Sequence, residues 1–204
     1  MSPRDRLRWF LNEDRFAVVF VRQLVGALLV GALIGLVLFA VSGVWPPMVA
    51  VESGSMEPEM FRGDLIFVVE EGRFSPAFAH DRTGVVTYRT GARVDYRTFD
   101  GYGDVIVYRP RGDRGTTPVI HRARFWVNES ENWYDKADPD HLAGDSCAEV
   151  PNCPAPHAGF VTKGDANQGY DQVNGISPPV RPRWITGTAE LRIPELGHIR
   201  LALS

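Results

Sequence analysis

Leu24 to Trp45 reads LVGALLVGALIGLVLFAVSGVW, 22 residues without a charge. Coiled as an α-helix, such a run is about 33 Å long, enough to cross a hydrocarbon core of about 30 Å. It reads as a transmembrane helix. A buried soluble helix is seldom apolar on every face over this length, and the apolar part of a cleaved secretory signal is usually shorter. Arg4, Arg6, Arg8, Arg15 and Arg22 precede the run, and the first charges after it are Glu52, Glu57 and Glu59. Basic flanks stay on the cytoplasmic side. The expectation is therefore a single-pass protein of the cell membrane. Residues 1–23 would be a cytoplasmic N-terminal segment, 24–45 the transmembrane helix, and 46–204 an extracytoplasmic domain. Pro46-Pro47 is expected to end the helix, because proline cannot continue the backbone ladder.

Beyond the anchor the pattern changes to short runs rich in β-branched and aromatic residues, bounded by Gly, Pro, Asp and Asn. These are Met48 to Val51, Leu65 to Val69, Val85 to Tyr88, Val105 to Tyr108, Val119 to His121, Phe125 to Val127, Phe160 to Thr162 and Trp184 to Leu191. No sustained helical period accompanies them, so the exterior domain is expected to be mainly β. Residues 128–159 are polar and rich in Asp, Pro and Gly, and are expected as a surface loop insertion between strands. They carry the chain's two cysteines, Cys147 and Cys153, which form either a small-loop disulfide or two free thiols. Two cysteines are too few for a structural zinc site. With 22 basic and 25 acidic residues the chain has a net charge of -3. That charge excludes the basic footprint of a nucleic-acid binder.

Candidate chemistry starts at Ser53-Gly54-Ser55-Met56, a few residues outside the apolar run. A serine hydroxyl becomes a nucleophile when a base removes its proton, and the base works best when a third group orients it. Of the five histidines, His121 directly follows an apolar strand run, which would hold its ring on a rigid element. Asp165 and Asp171 lie in Thr162-Lys163-Gly164-Asp165-Ala166-Asn167 and just after it. Taken singly, these residues have plain readings. Ser-Gly-Ser is common loop composition, a histidine is often structural, and Gly-Asp is a turn signal.

Together, the blocks resemble type I signal peptidases, in particular the archaeal and endoplasmic-reticulum branch that uses histidine where most bacterial members have lysine. The matching blocks are Ser53-Gly54-Ser55-Met56-Glu57-Pro58 with Arg62 to Val68, then Gly103 to Tyr108, then Val119 to Arg122, then Thr162 to Asn167 with Asp171. The resemblance implies a β-rich, partly coiled, barrel-like domain and a membrane-anchored serine endopeptidase that removes signal peptides after small residues of the Ala-x-Ala kind. It implies Ser55 as nucleophile, His121 as general base, Asp171 as the orienting acid and Asp165 as a second aspartate that shapes the site. Ser53 and the Ser55 N–H would hold the oxyanion. No cofactor or metal is implied. The expected partners are secretory preproteins, the lipid bilayer and the secretion translocon. Ala166 departs from the family's Lys-Gly-Asp-Asn-Asn form.

Two rival readings remain. LexA-like self-cleaving proteins pair a related serine with lysine, but they are soluble and typically carry a DNA-binding domain. A catalytically inactive membrane-tethered β-domain, acting as a binding or assembly subunit, would keep the strands without needing the serine, histidine and aspartate.

Overall fold

The computed structural model describes residues 3, 9, 13, 15–81 and 83–202. Arg4, Arg6 and Arg8 of the basic N-terminal flank lie outside the described residues. The chain divides into two compact units, Met1–Val41 and Ser42–Ser204.

The first unit is built on helix α1 (Phe16–Ser42), 27 residues, which at 1.5 Å per residue is about 40 Å long. It is long and apolar enough to cross a membrane. Its side chains stand outward, Leu28 at 64 % exposure and Leu36 at 62 %. From Leu24 onward it carries no charge, and its exposed apolar side chains give it a surface that suits lipid. The helix stops at Ser42, short of the proline pair: Gly43 follows with φ +78°. A glycine in the left-handed region ends a helix by redirecting its last carbonyls. The prolines are therefore not the stop that the sequence suggested.

In the second unit, six antiparallel strands form one sheet in the order β1-β2-β8-β5-β6-β7. These are β1 (Met48–Ala50), β2 (Leu65–Val69), β5 (Val105–Tyr108), β6 (Val119–Val127), β7 (Gly159–Lys163) and β8 (Ile185–Ile193). A two-residue hairpin, β3 (Arg97–Thr98) with β4 (Gly101–Tyr102), stands apart. The sheet is open, with β1 and β7 as its edges, so the mainly β expectation is met without barrel closure.

β5 is buried on both faces. Val105 and Val107 join Ile66, Val68, Met56 and Met60 in one cluster, while Ile106 and Tyr108 join Val85, Ala123 and Phe160 in another. This is the period-2 alternation of a central strand.

Three local outcomes differ from the sequence reading. The run Val85 to Tyr88 is not a strand: the Asp104 carboxylate accepts from the Val86 N–H at 2.7 Å. Thr87 then caps helix α2 (Tyr88–Val94) by accepting from the Thr90 N–H. A side-chain acceptor plus an N-cap has replaced the ladder. A second short helix, α3 (Gly197–Leu201), follows β8.

Residues 128–159 are more than a surface excursion. Trp133 is fully buried with Val150, Ala155, Val161 and Tyr170, and its indole N–H donates to the Asn152 carbonyl at 2.7 Å. Cys147 and Cys153 are disulfide-bonded within this segment.

Candidate active site

Strand register assembles the site. Ile106 pairs with His121, and Ala123 pairs with Thr162. Side chains two apart on a strand share a face, so Tyr108, His121 and Thr162 converge on one side of the sheet. Asp171 meets them there: its backbone N–H donates to the Thr162 carbonyl at 2.9 Å, and its side chain is fully buried.

A single carboxylate oxygen, Asp171 Oδ2, accepts from the Tyr108 hydroxyl at 2.8 Å and the Thr162 hydroxyl at 2.6 Å, and lies 2.8 Å from His121 Nδ1. Burial raises the Tyr108 phenol well above its usual pKa, and the Asp171 charge adds to this. Tyr108 therefore stays a neutral donor. With the imidazole proton directed to Asp171 from Nδ1, Nε2 is left as an acceptor, and it lies 3.0 Å from Ser55 Oγ. The Ser53 hydroxyl lies 3.2 Å from Ser55 Oγ.

The segment 163–167 buttresses this line from the other side. The Ala166 N–H donates to the Ser55 carbonyl at 2.9 Å. That bond uses backbone alone, so the site tolerates alanine at this position. A Cβ on Gly164 would come within 2.5 Å of the Ser55 carbonyl and 2.8 Å of His121 Nε2, so only glycine admits this approach. Lys163 directs its ammonium to the carbonyls of Gly164, Asp165 and Asn167, with the last at 2.6 Å. Burial, then the nearby Arg124 charge, lowers its pKa. Its donors thus hold the loop.

Asp165 has a different partner from Asp171. Arg122, fully buried and next to His121 on β6, reaches Asp165 Oδ2 at 2.6 Å. It also donates to the carbonyls of Thr98 at 2.9 Å and Gly103 at 3.0 Å. The ion pair ties the 163–167 segment to the β3–β4 hairpin.

Ser55 and His121 open on a cleft of about 550 Å³ lined on one side by Val49 to Ser53 and on the other by Thr117 to Ile120. Each lining includes a strand edge, β1 in the first and the start of β6 in the second. Among the described residues β1 pairs only with β2, and β7 pairs with β6 only from Arg122 onward. Met56 also lines the cleft, whereas Ile66, Val68 and the β5 valines belong to the core cluster beneath.

Sequence reasoning did not single out Tyr108, Thr162, Arg122 or Gly164. Each lies in or beside a quoted block, yet only strand register shows Tyr108 and Thr162 facing His121.

A hydroxyl, an imidazole and a buried carboxylate in hydrogen-bonded succession form the arrangement by which serine hydrolases activate a nucleophile. The chain is 28% identical over 161 residues to the signal peptidase complex catalytic subunit SEC11 of Paracoccidioides brasiliensis strain Pb03. It is 26% identical over 161 residues to that of Saccharomyces cerevisiae strain YJM789. Each match covers 78% of this chain and 66% of the relative, so the chain spans just under two thirds of the relatives' length. No protein-family model matches it. The chain is a distant homologue of the SEC11 signal peptidase catalytic subunits.

Proposed function

We propose that this chain is a membrane-anchored serine endopeptidase that removes signal peptides from secretory preproteins after small residues. The observation that carries the reading is the hydrogen-bonded line from Ser55 through His121 to Asp171. The distant homology to SEC11 supports the substrate class.

Ser55 Oγ attacks the scissile carbonyl as His121 Nε2 takes its proton, and Asp171 stabilises the imidazolium that forms. The Ser55 N–H and the Ser53 hydroxyl hold the oxyanion. His121 returns the proton to the leaving amine, and water then hydrolyses the acyl-enzyme by the same route. Asp165 acts at one remove, by holding Arg122 and the 163–167 segment.

The cleft supports an extended peptide as substrate. Two strand edges that line it offer backbone donors and acceptors that an inserted strand can use, with side-chain pockets setting preference. In this reading α1 is the anchor, and the arginines before it with the glutamates after it support a cytoplasmic N-terminus and an outer β domain. There the cleft meets preproteins as they emerge from the translocon.

The test is cleavage of a preprotein ending in Ala-x-Ala by membranes containing the full chain, with Ser55→Ala, His121→Ala and Asp171→Ala in parallel. Loss of product in the serine and histidine variants, each correctly folded, is expected. Equal cleavage by wild type and Ser55→Ala would overturn the reading.

A further inference from the structure

The cleft is bounded at one end by the C-terminal helix. Arg200 and Leu201 of α3 line it together with β1. Hydrogen bonding along β1 defines what they border. The Pro47 carbonyl accepts from Val68, the Val51 N–H donates to the Asp64 carbonyl, and the Val51 carbonyl accepts from Gly63. Residues 47, 49 and 51 therefore turn their polar groups to β2. By the alternation of an antiparallel ladder, Met48, Ala50 and Glu52 turn theirs away from β2, toward the open edge.

On that edge the Met48 carbonyl accepts from Arg200 Nη1. The helix carrying Arg200 is firmly seated. A Cβ on Gly63 would fall 2.0 Å from His198 Nε2, and a Cβ on Gly197 would fall 2.4 Å from the Asp64 carbonyl. Asp64 also accepts from the Glu195 N–H at 3.1 Å. α3 is thus packed into the β1–β2 turn at two glycines, and its arginine reaches from there to the strand edge.

We propose that Arg200 is a stop at the end of the peptide-binding edge and determines how much of a substrate is read. This rests on the peptide-cleft reading above. A peptide strand laid along β1 pairs through its own N–H and C=O groups with Glu52 and Ala50, next to Ser55. Its next bond would need the Met48 carbonyl, which Arg200 holds. Pairing ends there, and recognition along β1 is confined to the few residues beside the scissile bond. That geometry suits recognition of a short motif in preproteins whose more distant sequence varies.

The test separates the stop from the hydrolase. The full chain in detergent is given a small-residue peptide that spans the cleft, and two versions lengthened by two residues on one flank or the other. Hydrolysis is followed with wild-type Ser55, and binding by fluorescence anisotropy in a Ser55→Ala background. Arg200→Met, which carries no donor, is expected to bind one of the lengthened peptides about 3- to 10-fold more tightly than the short one, the gain from one or two new backbone hydrogen bonds. Affinity for the short peptide should stay within about twofold, and Arg200→Lys, which still donates to a carbonyl, should show no length effect. Two results would overturn the stop while leaving the hydrolase intact: hydrolysis by wild type with no length dependence in Arg200→Met, or weaker binding of every peptide by that variant. Failure of wild type to hydrolyse or bind any of the peptides would remove the peptide-cleft reading and the stop with it.

Discussion

Asp171→Asn is the sharpest single perturbation of the site, because it changes charge and hydrogen-bond polarity while keeping shape. In the structure Oδ2 receives the Tyr108 and Thr162 hydroxyls and faces His121 Nδ1. An asparagine that places its amide nitrogen where Oδ2 stands presents a donor to the ring and to both hydroxyls, so Nδ1 must become an acceptor. The proton then moves to Nε2, where it faces Ser55 Oγ across 3.0 Å, and the base cannot accept from the nucleophile. A comparable wrong-tautomer substitution in a Ser-His-Asp enzyme lowers kcat by about 10⁴, which corresponds to about 5.5 kcal/mol of barrier. The assay is single-turnover cleavage of a preprotein by the purified full chain, with thermal unfolding as the check on folding. Asp165→Asn serves as contrast, since its partner is Arg122. A folded Asp171→Asn enzyme within tenfold of wild type would refute the assignment of the orienting acid. Asp165→Asn is expected to act chiefly on stability, at about 3–5 kcal/mol for a buried arginine left unpaired.

Tyr108→Phe removes one donor from a buried carboxylate and should lower stability by about 1.5–3 kcal/mol, read by denaturant unfolding. Gly164→Ala forces its Cβ against the Ser55 carbonyl and His121 Nε2. Displacement of that order costs about 100-fold in turnover with little loss of folded protein, checked by kcat beside a melting curve. Asp104 predicts a pH effect. Burial raises its pKa to about 6, against hydrogen bonds from Val86 and Tyr96 that lower it. The folded state therefore holds this proton more tightly than the unfolded chain. Its contribution is present below about pH 4, is lost as pH rises to about 6, and totals about 3 kcal/mol. Unfolding free energy measured across this range should fall with rising pH more steeply in wild type than in Asp104→Asn.

The sequence alone determined the parts that depend on local composition. An uncharged apolar run of this length favours a helix, and Leu24 to Ser42 of it lie in α1. Seven of the eight expected runs fall in the main sheet's six strands, because β-branched residues between turn-formers leave few alternatives; Val119 to His121 and Phe125 to Val127 are two stretches of the continuous β6. The serine, histidine and aspartates were legible because each sits in a short block beside a strand or turn.

Tertiary structure decided what depends on pairing between distant segments. Val85 to Tyr88 looked like a strand until the carboxylate of Asp104, 18 residues on from Val86, took its N–H. The burial of Trp133 and the disulfide joining Cys147 to Cys153 depend on what packs over residues 128–159. Spacing in the chain did not show that Asp171 faces His121 while Asp165, six residues earlier, faces Arg122. Adjacent residues on β6 point to opposite faces, so the choice of partner follows from register and from where the 163–171 segment crosses the sheet. For the same reason no local pattern marked Arg200: its carbonyl partner, Met48, is 152 residues away in the chain.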